Sequence, residues 1–372
     1  MIYLDYASTS LLRPEVLEAY ERLLKGCIGN PSNSNHLGLE LEDKLNKARK
    51  EILKLLGLNN HHVTFTSGAT EANNLAIFGF ARRNKKRGNV IITSRIEHSS
   101  ITNPIKVLTE EGFVMKCFET KDYGYDYDSL FRLLSDDVLL LSLTEVNNET
   151  GLIFDYEMIR KIKQLYPHLI IHLDITQAIG HLEPHSYQDC DFLTFSLHKL
   201  GGPTGSGILI KRNRLQLQPL IYGGGQEDEM RSGTINTVAH LLYPFAIKLM
   251  FDDYQRDSNE LLKELDKKLK DSEEIVINTK LSNSANHILN FSLRHKKSSI
   301  LFEALNQEAI YLSTKSSCAS RHQLRSNVVY ELTKNEIFAS NSLRVSLGHA
   351  TTKTDIDSFT KALKRLLETI KE

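Results

Sequence analysis

Lys199 stands at the end of the apolar run Asp191-Phe192-Leu193-Thr194-Phe195, inside Ser196-Leu197-His198-Lys199, and opens the glycine-rich turn Gly201-Gly202-Pro203-Thr204-Gly205. Asp174 likewise closes the apolar run Leu169-Ile170-Ile171-His172-Leu173, a short way upstream. A lysine at the end of a buried strand is costly unless it is neutral, paired or used covalently. Neighbouring strand ends can bring such a lysine and carboxylate to one crevice. Pyridoxal phosphate needs that pair: an amine for its aldehyde, and a carboxylate to hold its pyridine nitrogen protonated. From these two residues alone, a buried Lys–Asp ion pair or an exposed lysine past the strand is an equal alternative.

Other candidates recur at strand ends. Phe65-Thr66-Ser67-Gly68-Ala69-Thr70-Glu71 has the form of strand, small-residue turn and helix start. Free N–H groups at such a start bind phosphate, although a plain helix cap has the same residues. Ser196 and His198 are further phosphate donors. Glu97-His98 and Asn147-Asn148 follow strands too; an imidazole there can stack on a flat ring and move protons, whereas most strand-end histidines and Asn-rich turns serve conformation or solvation. Arg344 sits in the apolar Ser342-Leu343-Arg344-Val345-Ser346, where a buried guanidinium implies a carboxylate, of the protein or of a substrate. Cys318 lies among small polar residues with Lys315 and Arg321 nearby, a setting that favours a thiolate. Cys117 and Cys190 suit packing, and Cys27 is undecided. Gly223-Gly224-Gly225-Gln226-Glu227 and Arg231-Ser232-Gly233-Thr234 suggest either close approach to a phosphate or a neighbouring subunit, or a flexible loop.

The elements that must position these residues alternate. Apolar strands at 63–66, 90–92, 113–118, 138–144 and 169–173 are separated by helix-length stretches, including 69–81, 99–111 and 156–165. Short continuous apolar runs between helices imply a mostly parallel sheet covered on both faces. From 235 the spacing of Ile235, Val238, Leu242, Phe245 and Leu249 predicts a long connector helix reaching Lys270. Strands at 274–277, 287–293, near 311 and 342–347 follow, with helices from 299 and from the capping box Thr352-Lys353-Thr354-Asp355. The expected organisation is a large α/β domain over 15–250 and a smaller α+β domain formed by 1–14 with 251–372.

The chain has 372 residues with Lys+Arg and Asp+Glu both 46, so no net charge draws it to nucleic acid or an anionic membrane. No apolar run is long enough to span a bilayer, and no basic-then-apolar leader is visible. Four separate cysteines without Cys-x-x-Cys spacing argue against a zinc or dithiol centre and for a reducing, cytoplasmic setting.

Taken in order, Tyr3-Leu4-Asp5-Tyr6-Ala7-Ser8-Thr9, Gly29-Asn30-Pro31-Ser32, the run from Thr66 to Ile77, Glu97-His98, Asn147-Asn148-Glu149, the run from Asp174 to Gly180, Ser196 to Lys199, Arg231 to Thr234, Ser317-Cys318-Ala319-Ser320 and Ser342 to Gly348 resemble the cysteine desulfurases. The resemblance covers nearly the whole chain. It implies a pyridoxal-phosphate enzyme of the aspartate-aminotransferase fold that takes sulfur from L-cysteine and leaves L-alanine. Lys199 would bind the cofactor's aldehyde, Asp174 its ring nitrogen, Gln177 its phenolic oxygen, and His98 would stack on the ring. Ala69, Thr70, Ser196 and His198 would hold the phosphate, with Thr234 arriving from the second subunit of a homodimer. Asn148 would lie between cofactor and substrate, Arg344 would bind the substrate carboxylate, and Cys318 would carry the persulfide. The acceptor would be an iron–sulfur-cluster or tRNA-thiolation protein, the latter expected because the chain ends in a plain helix. Family members usually carry Asn at Tyr6, Lys at Thr204, Gly at Lys315 and Ala at Ser317, departures that remove no chemical group. On the same fold, a selenocysteine lyase or another class V aminotransferase is the alternative; a non-catalytic scaffold would not keep Lys199, Asp174, His98, Cys318 and Arg344 together.

Overall fold

Seven strands, buried almost throughout except for the edge strand Val114–Phe118, form the central sheet. A computed structural model of the chain describes residues 1–254, 259–314 and 325–369. The strands are β1 (His61–Thr66), β2 (Val90–Ser94), β3 (Val114–Phe118), β4 (Val138–Thr144), β5 (Ile170–Asp174), β6 (Phe192–Ser196) and β7 (Gly207–Arg212), in the spatial order β1-β7-β6-β5-β4-β2-β3. Pairs β6–β5, β5–β4, β4–β2 and β2–β3 are parallel. β7 runs antiparallel to both neighbours. Because β7 is reversed, β1 and β6 point the same way, so the ends of β1, β2, β4, β5 and β6 and the start of β7 share one edge.

The apolar runs are continuous because both faces are covered. Ile92, Leu141, Ile171 and Ile210 enter one core with Leu45, Ile52 and Tyr243. Their neighbours Ile91, Leu140, Ile170 and Leu209 enter a second with Ala72, Phe80 and Ile105. Successive side chains thus serve opposite layers, as strand geometry requires. A third core joins Leu4 to Leu262, Leu289, Phe291, Leu343, Val345 and Phe359. It lies on a separate antiparallel sheet of β8 (Ile275–Ile277), β9 (Ile288–Leu293) and β10 (Ser342–Ser346). The N-terminal Ile2–Tyr3 joins this part by parallel pairing with Ile310–Tyr311.

Three expectations need correction. β7 was not anticipated; its apolar centre is only Ile208-Leu209-Ile210, between glycines and the charged Lys211-Arg212. The helix expected over 69–81 is α1 (Ala69–Asn74), a π-helical turn at Leu75–Gly79 and a further helix Phe80–Asn84. The wider turn falls where Gly79 lies so close to the chain that an added Cβ would sit 2.8 Å from the Gln218 carbonyl. The connector breaks early, into Thr237–Leu241 and Tyr243–Tyr254, and a helix Asn259–Lys270 lies beyond residues 255–258. Pro244 lacks the N–H that would bond the His240 carbonyl, which forces a break there. The capping box is present: the Thr352 N–H and hydroxyl bond Asp355 Oδ2, and the Asp355 N–H bonds Thr352 Oγ1.

Candidate active site

The strand ends converge on a cavity of about 340 Å³, within the range of small-molecule sites. Ala69, Thr70, His98, Asn148, Asp174, Gln177, Ser196, His198, Lys199 and Arg344 all line it. β4, β5 and β6 set the floor, with Thr144, Asp174 and Thr194 side by side in register. Asp174 Oδ1 accepts the Thr176 N–H at 2.9 Å and Oδ2 accepts from Asn73 Nδ2 at 2.7 Å. Lys199 closes the single 3₁₀ turn that follows β6, and its ammonium donates to the carbonyls of Ala7 and Ser8. The N-terminal segment therefore forms one wall.

His98 caps α2 (Ser99–Glu110), its Nδ1 accepting the Ser100 N–H at 3.1 Å. Burial holds its pKa below the ordinary imidazole value. His198 is pushed down to about 4 by burial, then by the neighbouring Lys199 charge; neutral, it keeps one N–H for an anion. Gln177 donates to the Ala7 carbonyl at 2.9 Å, and its Oε1 meets His287 Nε2 at 3.2 Å. Beside Asn148, the side chain of Asn147 is spent on its own turn, accepting the N–H groups of Glu149 and Thr150. Only the second of the two asparagines faces the cavity.

Arg344 comes from β10, outside the seven-stranded sheet. It is almost wholly buried; Nη1 donates to the Asn148 carbonyl at 2.6 Å, and Nη2 to Asp5 Oδ1 at 2.7 Å and Ser8 Oγ at 2.6 Å. The carboxylate its burial demanded is Asp5. Its Nε, however, has no hydrogen-bond partner among the described residues, nor do the buried hydroxyls of Ser196 and Thr176, all of which belong to residues on the cavity wall. Such a set of unmet donors around an open space fits an anionic, hydrogen-bonding ligand. The turn at 67–70 is shaped for close approach: a Cβ on Gly68 would meet nothing within 4 Å, while one on Gly207 would fall 2.2 Å from the Gly68 backbone. The residues fit pyridoxal phosphate: the turn at 67–70 with Ser196 would take its phosphate, Asp174 its ring nitrogen and Lys199 its aldehyde.

One expected residue stands apart. Thr234 is exposed and not on the wall; Arg231 links that loop to the site, its Nε 2.9 Å from Glu71 Oε1. The glycine-rich loop is anchored through Glu227, buried against Arg49 and the Phe65 N–H at 2.6 and 2.7 Å. Cys318 lies outside the described residues. Cys27, Cys117 and Cys190 are free thiols, none on the wall, and burial pushes the Cys117 and Cys190 thiols up. Sequence reasoning missed Asn73, Ser100, Thr144, Thr176 and Asp5 as individual contributors. A signal existed for Asn73, which lies one helical turn beyond the phosphate-type turn at 67–70.

A family model described as Aminotransferase class-V matches residues 2–359. A protein named cysteine desulfurase IscS from Dictyoglomus turgidum is 33% identical over 379 residues, covering 100% of this chain and 95% of that relative. One of the same name from Proteus mirabilis is 37% identical over 369 residues, covering 96% and 90%. Among solved structures, a NifS-like protein superposes with a TM-score of 0.91 at 29% identity, covering 99% of this chain and 100% of the other. A NifS-like protein from Rickettsia africae gives 0.88 at 29% identity, with 99% of each chain covered.

Proposed function

The chain belongs to the class V aminotransferase family, as a pyridoxal-phosphate-dependent cysteine desulfurase, and we propose that Lys199, Asp174, His98 and Arg344 carry out that reaction in the cavity described. The convergence of these four with unpartnered buried donors on one wall carries the reading. Pyridoxal phosphate, when bound, supplies an aldehyde for amines and a ring that stores the electron pair left by a breaking bond.

Ala69, Thr70, Ser196 and His198 would hold the phosphate. Asp174, itself held by Asn73 and Thr176, would meet the ring nitrogen, with His98 against the ring and Gln177 at its oxygen. Lys199 would supply the amine that attaches the cofactor and, when free, would take and return the proton at the substrate Cα. Arg344 binds the substrate carboxylate, with Asn148 beside it. Cys318 is the thiolate that attacks the substrate sulfur: an S–S bond forms, the Cβ–Sγ bond breaks, and after proton uptake the carbon part leaves as L-alanine. Sulfur then passes from Cys318 to an acceptor protein of an iron–sulfur-cluster or tRNA-thiolation system. The working form is a homodimer in which Thr234 of one subunit completes the phosphate site of the other; its exposure and the Arg231–Glu71 tie support this. Free thiols at Cys27, Cys117 and Cys190 suit a cytoplasmic setting, and no helix among the described residues is long and apolar enough to cross a membrane. The cores support division into 15–250 and 1–14 with 251–372, with Ala285, Val328 and Leu332 of the second part packing into the core of the first.

Incubation of the cofactor-loaded protein with L-cysteine, measuring alanine and the mass of Cys318, tests the reading. Wild type should yield alanine and one extra sulfur on Cys318; Lys199→Ala should yield neither. Alanine released at the wild-type rate by Cys318→Ala would overturn the role of the thiol.

A further inference from the structure

We infer that Asn73 is the hub of a one-way hydrogen-bond chain that fixes His98 as the tautomer with its proton on Nε2, so that the imidazole meets the cavity as an N–H donor. The geometry stands whatever the cavity binds; only the use made of that N–H rests on the desulfurase reading above.

The chain is directed from Asp174. Its Oδ2 lies 2.7 Å from the Asn73 amide, and a carboxylate oxygen needs a donor. Asn73 must therefore present Nδ2, since the reversed amide would set two acceptors against each other. The second N–H of Nδ2 donates to Ser100 Oγ at 2.8 Å. Asn73 Oδ1 is left facing Thr194, whose hydroxyl donates to it. With that proton spent, Thr194 Oγ1 accepts from His172 Nε2 at 3.1 Å, and His172 Nδ1 in turn accepts from Ser142 Oγ at 2.8 Å. Each choice leaves the next group a single role.

The other branch ends in the cavity. Ser100 Oγ has received an N–H from Asn73, so its own proton is available for His98 Nδ1, 2.7 Å away. The same Nδ1 accepts the Ser100 backbone N–H at 3.1 Å. A nitrogen with two donors pointed at it carries no proton, and a neutral imidazole must then hold its proton on the other nitrogen. Ser142, His172, Thr194 and Asn73 are fully buried, so water does not compete for these bonds, and a low-dielectric setting strengthens a connected chain. Asn73 touches both sides of the site at once: one N–H braces Asp174, the other, through Ser100, sets His98. It is a positioning residue for two groups that do not touch each other. In the resting protein His98 has no lone pair to offer the substrate and serves first as donor; Lys199 is left as the first base.

The full-length protein labelled with 15N-histidine, with and without pyridoxal phosphate, tests this directly. His98 resonances are those lost in His98→Gln. Wild type should show a protonated Nε2 and an accepting Nδ1. Asn73→Asp puts an acceptor where the amide donated, draws the Ser100 proton away and should shift the His98 Nδ1 signal; Ser100→Ala, a smaller change at a buried helix start, should shift it in the same direction. A protonated Nδ1 in wild type, or ring shifts unmoved in both variants, overturns the inference. In turnover, His98→Gln keeps an N–H and should retain more alanine formation than His98→Ala, which should fall about 100-fold; equal losses would overturn the donor role. An Nε2 proton seen in a protein that releases no alanine would uphold the tautomer and sink the desulfurase reading instead.

Discussion

Arg344 reaches the cavity with Nη1 and Nη2 already bonded to the Asn148 carbonyl, Asp5 and Ser8, and with Nε unmet. A guanidinium has five N–H groups in a fixed plane, so it can hold Asp5 and still meet a second carboxylate. An ammonium is a point charge with no such fork. Arg344→Lys should keep the positive charge but be unable to serve both carboxylates, and the KM for L-cysteine should rise about 10- to 100-fold, as expected for losing a charge-assisted pair worth roughly 1.5–3 kcal/mol. Alanine release against substrate concentration gives the number. An unchanged KM would make Arg344 a tie between β10 and the N-terminal segment and nothing more. Asp5, Ala7 and Ser8 thereby gain a function at residue level: short of side-chain bulk, this segment offers one carboxylate to Arg344 and two carbonyls to Lys199.

At the scale of elements, the phosphate turn depends on β7, the strand that composition did not announce. Gly207 lets the start of β7 lie against Gly68, and a Cβ there would sit 2.2 to 2.5 Å from three Gly68 backbone atoms. Gly207→Ala should push the turn at 67–70 out of place and weaken pyridoxal-phosphate binding at least about 10-fold, about 1.4 kcal/mol; cofactor titration of the apoprotein by absorbance measures it. Unaltered affinity would show that the turn tolerates the shift. The strands with continuous apolar runs were legible because burial on both faces leaves a local mark: 138–144 and the helix at 156–165 are found as expected, the latter opened by Asp155, whose side chain accepts the Glu157 N–H at 2.9 Å. The split at Pro244 was also local and overlooked. The π turn at Leu75–Gly79 was not local, since it answers to Gln218 far along the chain. The same divide runs through the site. Residues that meet the cofactor or substrate directly were legible by resemblance, whereas Asn73 and Thr176, though inside the matching runs, and Ser100 act through partners that exist only once β4, β5, β6 and two helices lie side by side.

The whole molecule buries ionisable groups whose protons link its stability to pH in two opposed directions. His172 is held down to about 4, and His181 and His240 to about 3, by burial first; His287, stacked on His181 with ring centres 3.4 Å apart, lies well below the ordinary value for the same reason. An unfolded histidine binds its proton near pH 6.5. Between that value and the depressed ones the unfolded chain holds more protons, so stability present above pH 6.5 is lost as pH falls. Glu97 works against this. Burial raises it to about 7, although the Ser94 hydroxyl and Thr144 N–H pull the other way. Its share of stability is present below the ordinary carboxyl value and is lost as pH rises through 7. Near pH 5.5 four histidines outweigh one glutamate, so the net balance of these five groups lowers stability as pH falls. The urea midpoint of the apoprotein should therefore fall on going from pH 7 to 5.5. Glu97→Gln keeps an acceptor for Thr144 without the titrating proton, and should make that fall steeper while flattening any loss between pH 6 and 8. A midpoint that rises on acidification would mean that the buried histidines are charged in the folded state. His172 would then have to donate from both nitrogens, and the bond directions running from Ser142 to His98 could not hold as drawn.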